Sequence, residues 1–160
     1  MSIEDITFSC ASAEFIVKLS ATALKQIIDE CIKAGRNETG GILIGSYSKD
    51  GSTALLVEAT ARPDDSLAGR TTFQRGINGL QPLLDSRWKV GRYYVGEWHF
   101  HPGGSPEPSR DDLESMRLIS QAPNYQCQEP IMIILGGYPP VSYKLSGSVF
   151  PRGKIPVRLN

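Results

Sequence analysis

Residues 96–112 read GEWHFHPGGSPEPSRDD, and the fold is decided in this stretch. Residues 92–100 (RYYVGEWHF) read as a strand, which Pro102 ends. Residues 103–108 (GGSPEP) form a Gly/Pro loop. Ser109 then reads as the N-cap of a helix running to about residue 121. Asp112 stands at the third helical position, so Ser109 and Asp112 repeat the Ser-x-x-acid capping pattern.

Working outward, residues 5–10 and 14–19 are strand candidates, with Phe15, Val17 and Leu19 alternating in the second. Leu24, Ile27, Ile28 and Cys31 recur at helical spacing between Ser20 and Gly35, which predicts an amphipathic helix over 21–34. Residues 41–47 (GILIGSY) read as a buried strand. A turn at Lys49-Asp50-Gly51 joins it to a partner over 53–61. Residues 62–71 read as a loop. Residues 76–89 hold Leu80, Leu83, Leu84 and Trp88 at helical spacing, with Pro82 tolerable in the first turns if the helix starts near residue 80. Strands are expected at 130–135 and 140–146, with an edge or extended segment over 151–160. Hairpins mix with helices without regular βαβ alternation. The class is α+β, a mixed sheet with flanking helices.

The chain has 160 residues, 17 basic and 17 acidic side chains, and 40% hydrophobic residues. That suits a single globular domain spanning 1–160. Zero net charge argues against a nucleic-acid binder, which needs a basic face. No apolar run approaches the roughly 18 residues of a membrane span. The first ten residues carry two acids and no basic cluster, unlike a signal peptide. Cys10, Cys31 and Cys127 are odd in number and widely spaced, which points to free thiols and a cytoplasmic setting.

The chemistry lies in the same stretch that opened the reading. His99 and His101 are two apart on a strand, so both imidazoles point to one face. Asp112 adds a carboxylate where the helix dipole favours negative charge. Two imidazoles and a carboxylate, with room for a water, suit a catalytic zinc site rather than a closed structural one. Each residue also has a plainer explanation: a hydrogen-bonded histidine, a helix-start acid, an N-cap serine. Asp111 competes with Asp112 as ligand. A base for the water is also needed, and both Glu97, on the histidine face, and Glu38, in NETGGILIG, qualify.

Glu38, HFHP at 99–102, Ser109 and Asp112 together resemble the JAB/MPN family with its JAMM metalloprotease motif. The resemblance extends over about residues 13–146. It implies that His99, His101 and Asp112 hold Zn2+, that Glu38 is the general acid/base, and that Ser109 stabilises the oxyanion. It selects Asp112 over Asp111 and Glu38 over Glu97. It also implies a curved mixed sheet flanked by helices, the cytidine-deaminase-like architecture. Phe100 and Glu97 depart from the residues of the well-known eukaryotic members; Phe100 is expected to face away from the ligands.

These departures look like the prokaryotic branch, which includes the peptidase of CBASS anti-phage operons. There the neighbours are a fused E1/E2-like conjugating enzyme and a cyclic-nucleotide synthase (CD-NTase). The implied function is hydrolysis of the bond after the C-terminus of a conjugated protein such as that CD-NTase. The alternatives are trimming of a ubiquitin-like or sulfur-carrier precursor, and a catalytically silent scaffold. An extended substrate tail is expected at a sheet edge near the metal, with residues 62–75 as a wall of its groove.

Overall fold

The structure is a computed structural model that describes residues 2–160. The first half of the chain runs β1 (Ile6–Ser9), β2 (Ile16–Leu19), α1 (Ala21–Ala34), β3 (Thr39–Tyr47) and β4 (Thr53–Ala59). The short pair β5 (Leu67–Ala68) and β6 (Phe73–Gln74) and helix α2 (Leu80–Trp88) follow. The second half is β7 (Tyr93–Pro102), α3 (Arg110–Gln121), a 3-10 turn (Pro123–Tyr125), β8 (Ile131–Tyr138), β9 (Ser142–Val149) and β10 (Val157–Leu159).

Eight strands form one mixed sheet in the order β1-β2-β4-β3-β7-β8-β9-β10. The β2–β4 and β7–β8 pairs are parallel and the others antiparallel. The sheet curves until its margins meet. Ser9 and Asn160 exchange both backbone hydrogen bonds, at 3.0 and 2.9 Å. The expected tail segment therefore supplies a final strand that joins the two ends of the sheet.

Alternation along the strands separates two faces. Trp98 and Phe100 of β7, with Ile131, Ile133 and Leu135 of β8, enter the main core. There they meet Ala23, Leu24, Ile27, Ile28 and Cys31, the apolar stripe of α1. Ser20 caps α1 by accepting from the Ala23 N–H at 3.1 Å. Met132 and Ile134 point the other way and pack with Met116 and Ile119 of α3 and with Phe150. Helices therefore flank both faces, as the α+β reading requires. Phe100 is 1% exposed within the α1-side core, facing away from the histidines as expected.

The strand β7 holds one irregularity. Leu43 pairs with Gly96 and Ile44 with Tyr94, so Val95 is bulged out of the ladder. The bulge shifts the alternation by one residue. Val95 turns into the α1-side core, while Tyr94 and Glu97 hydrogen-bond on the opposite face. Residues 62–71, read as a loop, contain β5, which pairs with β6 over only Leu67–Gln74 and Ala68–Phe73.

Candidate active site

The expected site residues gather on the α3 side of β7. His99 and His101 share that face, with side chains only 11% and 14% exposed. The loop that follows is pinned to β8 and β9. Gly103 N–H donates to Gly137 O at 2.8 Å, and the Ser146 hydroxyl donates to Pro106 O. Gly136 makes this possible, since a Cβ there would lie 2.5 Å from Gly104 O. A loop held this way fixes where α3 begins.

At that beginning the capping pattern forms in full. Ser109 Oγ accepts from the Asp112 N–H at 3.0 Å, and Asp112 Oδ2 accepts from the Ser109 N–H at 2.8 Å. This turns Asp112 inward, 7% exposed, while Asp111 stays exposed. Asp112 Oδ1 lies 2.9 Å from His99 Nδ1, and Oδ2 lies 3.2 Å from His101 Nε2. The other ring nitrogen of His101 lies 3.1 Å from Ser105 O. These donor atoms bond to one another rather than surrounding a common point. Burial raises the Asp112 carboxyl, but hydrogen bonds from His101 and His99 outweigh it and hold the group well below the usual carboxylate range. The His101 imidazole is shifted up, first by its bond to Asp112, against burial.

Glu38 arrives from the neighbouring strand. Gly40 stands opposite His99 in the β3–β7 ladder, and opposed residues share a face. A Cβ on Gly40 would come within 2.8 Å of His99 Cδ2 and 2.9 Å of the Phe73 ring, so glycine leaves space for both. Glu38, two residues earlier, is half-buried and feels the charges of His101, Asp112 and His99. Burial raises its carboxyl above the ordinary range, and the two histidines pull it back. Its N–H donates to Gly69 O at 2.8 Å.

Glu97, the rival base, has both oxygens engaged. Arg75 Nε donates to one and the Tyr94 hydroxyl to the other. Arg75 also donates to Tyr125 Oη at 2.6 Å and to Gly76 O at 2.8 Å. Arg75, Tyr94 and Tyr125 escaped the sequence reading. Only an acid on the histidine face, in need of a buried partner, hinted at them. Between β6 and α3 lies a cavity of about 330 Å³, lined among others by Phe73, Arg75, Glu97, His99 and Met116.

Residues 20–146 match the family described as prokaryotic homologs of the JAB domain. The chain belongs to this family. An Enterobacter hormaechei subsp. hoffmannii JAB relative named "CD-NTase/cGAS isopeptidase" is 65% identical over 159 residues, covering 99% of this chain and 88% of its own. An Escherichia coli protein of the same name is 32% identical over 104 residues, 62% of each chain. The solution structure of a Desulfitobacterium hafniense protein superposes with a TM-score of 0.64 at 16% identity, covering 88% of this chain and 87% of that one. That likeness shows a shared fold.

Proposed function

We propose that this JAB chain is a zinc-dependent isopeptidase that hydrolyses the bond after the C-terminus of a conjugated protein. The convergence of His99 and His101 on the two oxygens of Asp112, beside half-buried Glu38, is the observation that supports this best. The donor set suits zinc. Two imidazoles and a carboxylate on one face are nitrogen and oxygen ligands of the kind a catalytic zinc takes. His101 Nδ1 lies 3.1 Å from Ser105 O, so with zinc bound an Nδ1–H donated there would leave Nε2 as the ligating nitrogen.

Zinc bound by His99, His101 and Asp112 would polarise the scissile carbonyl and lower the pKa of a water. Glu38 accepts the proton of that water and delivers it to the leaving amine. Ser109 Oγ already accepts the Asp112 N–H, so its own hydroxyl hydrogen is free to donate to the oxyanion. The names of the Enterobacter and Escherichia relatives support a CD-NTase as the conjugated protein. That an E1/E2-like enzyme makes the conjugates in CBASS anti-phage defence is what the resemblance to the prokaryotic JAB branch implies. Three free cysteines, Cys31 and Cys127 buried among them, support a reducing cytoplasm as the place of reaction.

The test is cleavage of a CD-NTase conjugate by the purified chain and by Glu38→Gln, with metal content measured on both. The expected result is zinc in both and cleavage only by the unsubstituted chain. Cleavage by Glu38→Gln at the unsubstituted rate removes Glu38 from its role. Cleavage that survives complete metal removal overturns the zinc mechanism, and zinc without cleavage of any conjugate favours a silent scaffold.

A further inference from the structure

A two-pair hairpin cannot hold itself in water, since even longer isolated hairpins are marginal. Yet β5–β6 stands against the site at two points. Gly69 O, at its turn, takes the Glu38 N–H at 2.8 Å. The Phe73 ring meets His99 edge-on, centroids 5.4 Å apart. Bonds inside the segment close its base: Asp65 accepts from the N–H groups of Ile77 and Asn78, and Ser66 Oγ from the Gly76 N–H. These order the loop but fix it to nothing.

Among the described residues, apart from the Leu80 N–H that donates to Ile77 O at the start of α2, the hydrogen bonds that tie residues 62–79 to the rest of the protein come from that Glu38 amide and from Arg75. Arg75 lies two residues beyond Phe73. Its side chain is 9% exposed and that of Glu97 4%. Glu97 in turn lies two residues before His99 on the same face of β7. One guanidinium thus joins the hairpin to the histidine strand through Glu97 and to the 3-10 turn through Tyr125. Tyr94 occupies the second Glu97 oxygen. Burial and the Glu97 charge raise the Tyr94 phenol well above its ordinary value, so it stays a donor.

We infer that Arg75 is a positioning residue: its clasp on Glu97 and Tyr125 seats the β5–β6 hairpin, which in turn sets the Glu38 backbone and the His99 ring for the reaction. The inference rests on the proposed isopeptidase reading. Lysine at this position could still pair with Glu97, but a single ammonium cannot reproduce the planar fork that reaches Glu97, Tyr125 and Gly76 together.

The experiment compares Arg75→Met and Arg75→Lys with the unsubstituted zinc-loaded chain. It reads steady-state kinetics on a conjugate, zinc per chain, and amide hydrogen exchange at Glu38 and across 67–74. Arg75→Met is expected to exchange faster at these amides and to lose kcat on the order of 100-fold, the scale for a small misplacement of reacting groups. KM should change much less, and zinc per chain should stay constant. Arg75→Lys should lie between the two in both exchange and kcat. If Arg75→Met does not fold, Arg75→Lys against the unsubstituted chain carries the same comparison. Unsubstituted kcat in a folded Arg75 variant, or a loss of kcat without faster exchange, overturns the inference. If the unsubstituted chain cleaves nothing and matches Glu38→Gln, the isopeptidase reading has failed instead, and exchange at Glu38 still reports on the clasp.

Discussion

The two faces of the sheet are built from the same strands and differ in nearly everything else. The α1 face is a continuous apolar core, with Leu43, Leu56, Trp98 and Ile133 fully buried against the helix. The α3 face has a small apolar cluster around Met116, Met132, Ile134 and Phe150. It gives the rest of its space to His99, His101, Asp112, Glu97 and Arg75. Burying ionised groups is costly unless they are paired, and each of these is paired. The contrast teaches that alternation along β7 assigns the apolar core to one side and the paired polar groups of the proposed site to the other. Trp98 and Phe100 secure the strand that aims His99 and His101.

Substitutions can break or sharpen that contrast. The largest effect is expected from Asp112→Ala or His99→Ala on the chemical face: zinc and cleavage are lost together, as metal analysis and a conjugate assay would register. Next, Glu38→Gln should keep zinc and the melting temperature while kcat falls roughly 10²–10⁴-fold, the usual worth of a general acid/base. Ser109→Ala should lower kcat roughly 10²–10³-fold through the lost oxyanion donor. The same change should destabilise α3 by about 1 kcal/mol through the lost cap, read by denaturant unfolding. The smallest effect on turnover belongs to the apolar face. Leu56→Ala should destabilise the fold by about 2–5 kcal/mol while leaving kcat per folded molecule unchanged. A large kcat change in the folded fraction of Leu56→Ala would end the separation of the two faces.

The sequence was most legible where one short stretch determined its own geometry. The strand ending at Pro102 and the Ser109–Asp112 cap follow from local rules, and the structure has both, while the choice of Asp112 over Asp111 came from the family resemblance. Helix α1 spans the expected residues 21–34 because its apolar spacing, N-cap and Gly35 agree. What stayed hidden depends on pairing across the chain. The Val95 bulge arises between β3 and β7, and no periodicity in RYYVGEWHF announces it. Arg75 is one cation among many in a Gly- and Thr-rich stretch, and only the fold brings it to Glu97. The closing contact of Asn160 with Ser9 likewise joins opposite ends of the sequence. Glu38 sits between these cases: its own surroundings did not separate it from Glu97, and the family resemblance did.

The reciprocal bonds between Ser109 and Asp112 have a consequence for the order of assembly. His99, His101 and Asp112 lie within one short span of chain, and the cap that orients Asp112 is a helix-initiating contact made among near neighbours. Closing so short a loop costs little entropy, and contacts of low sequence separation form early. Glu38 reaches the same face only when β3 pairs with β7, a contact across some sixty residues of sequence. On the proposed reading, a nascent or partly folded chain gathers its metal donors before it gains its base, so hydrolysis switches on only as the sheet is completed.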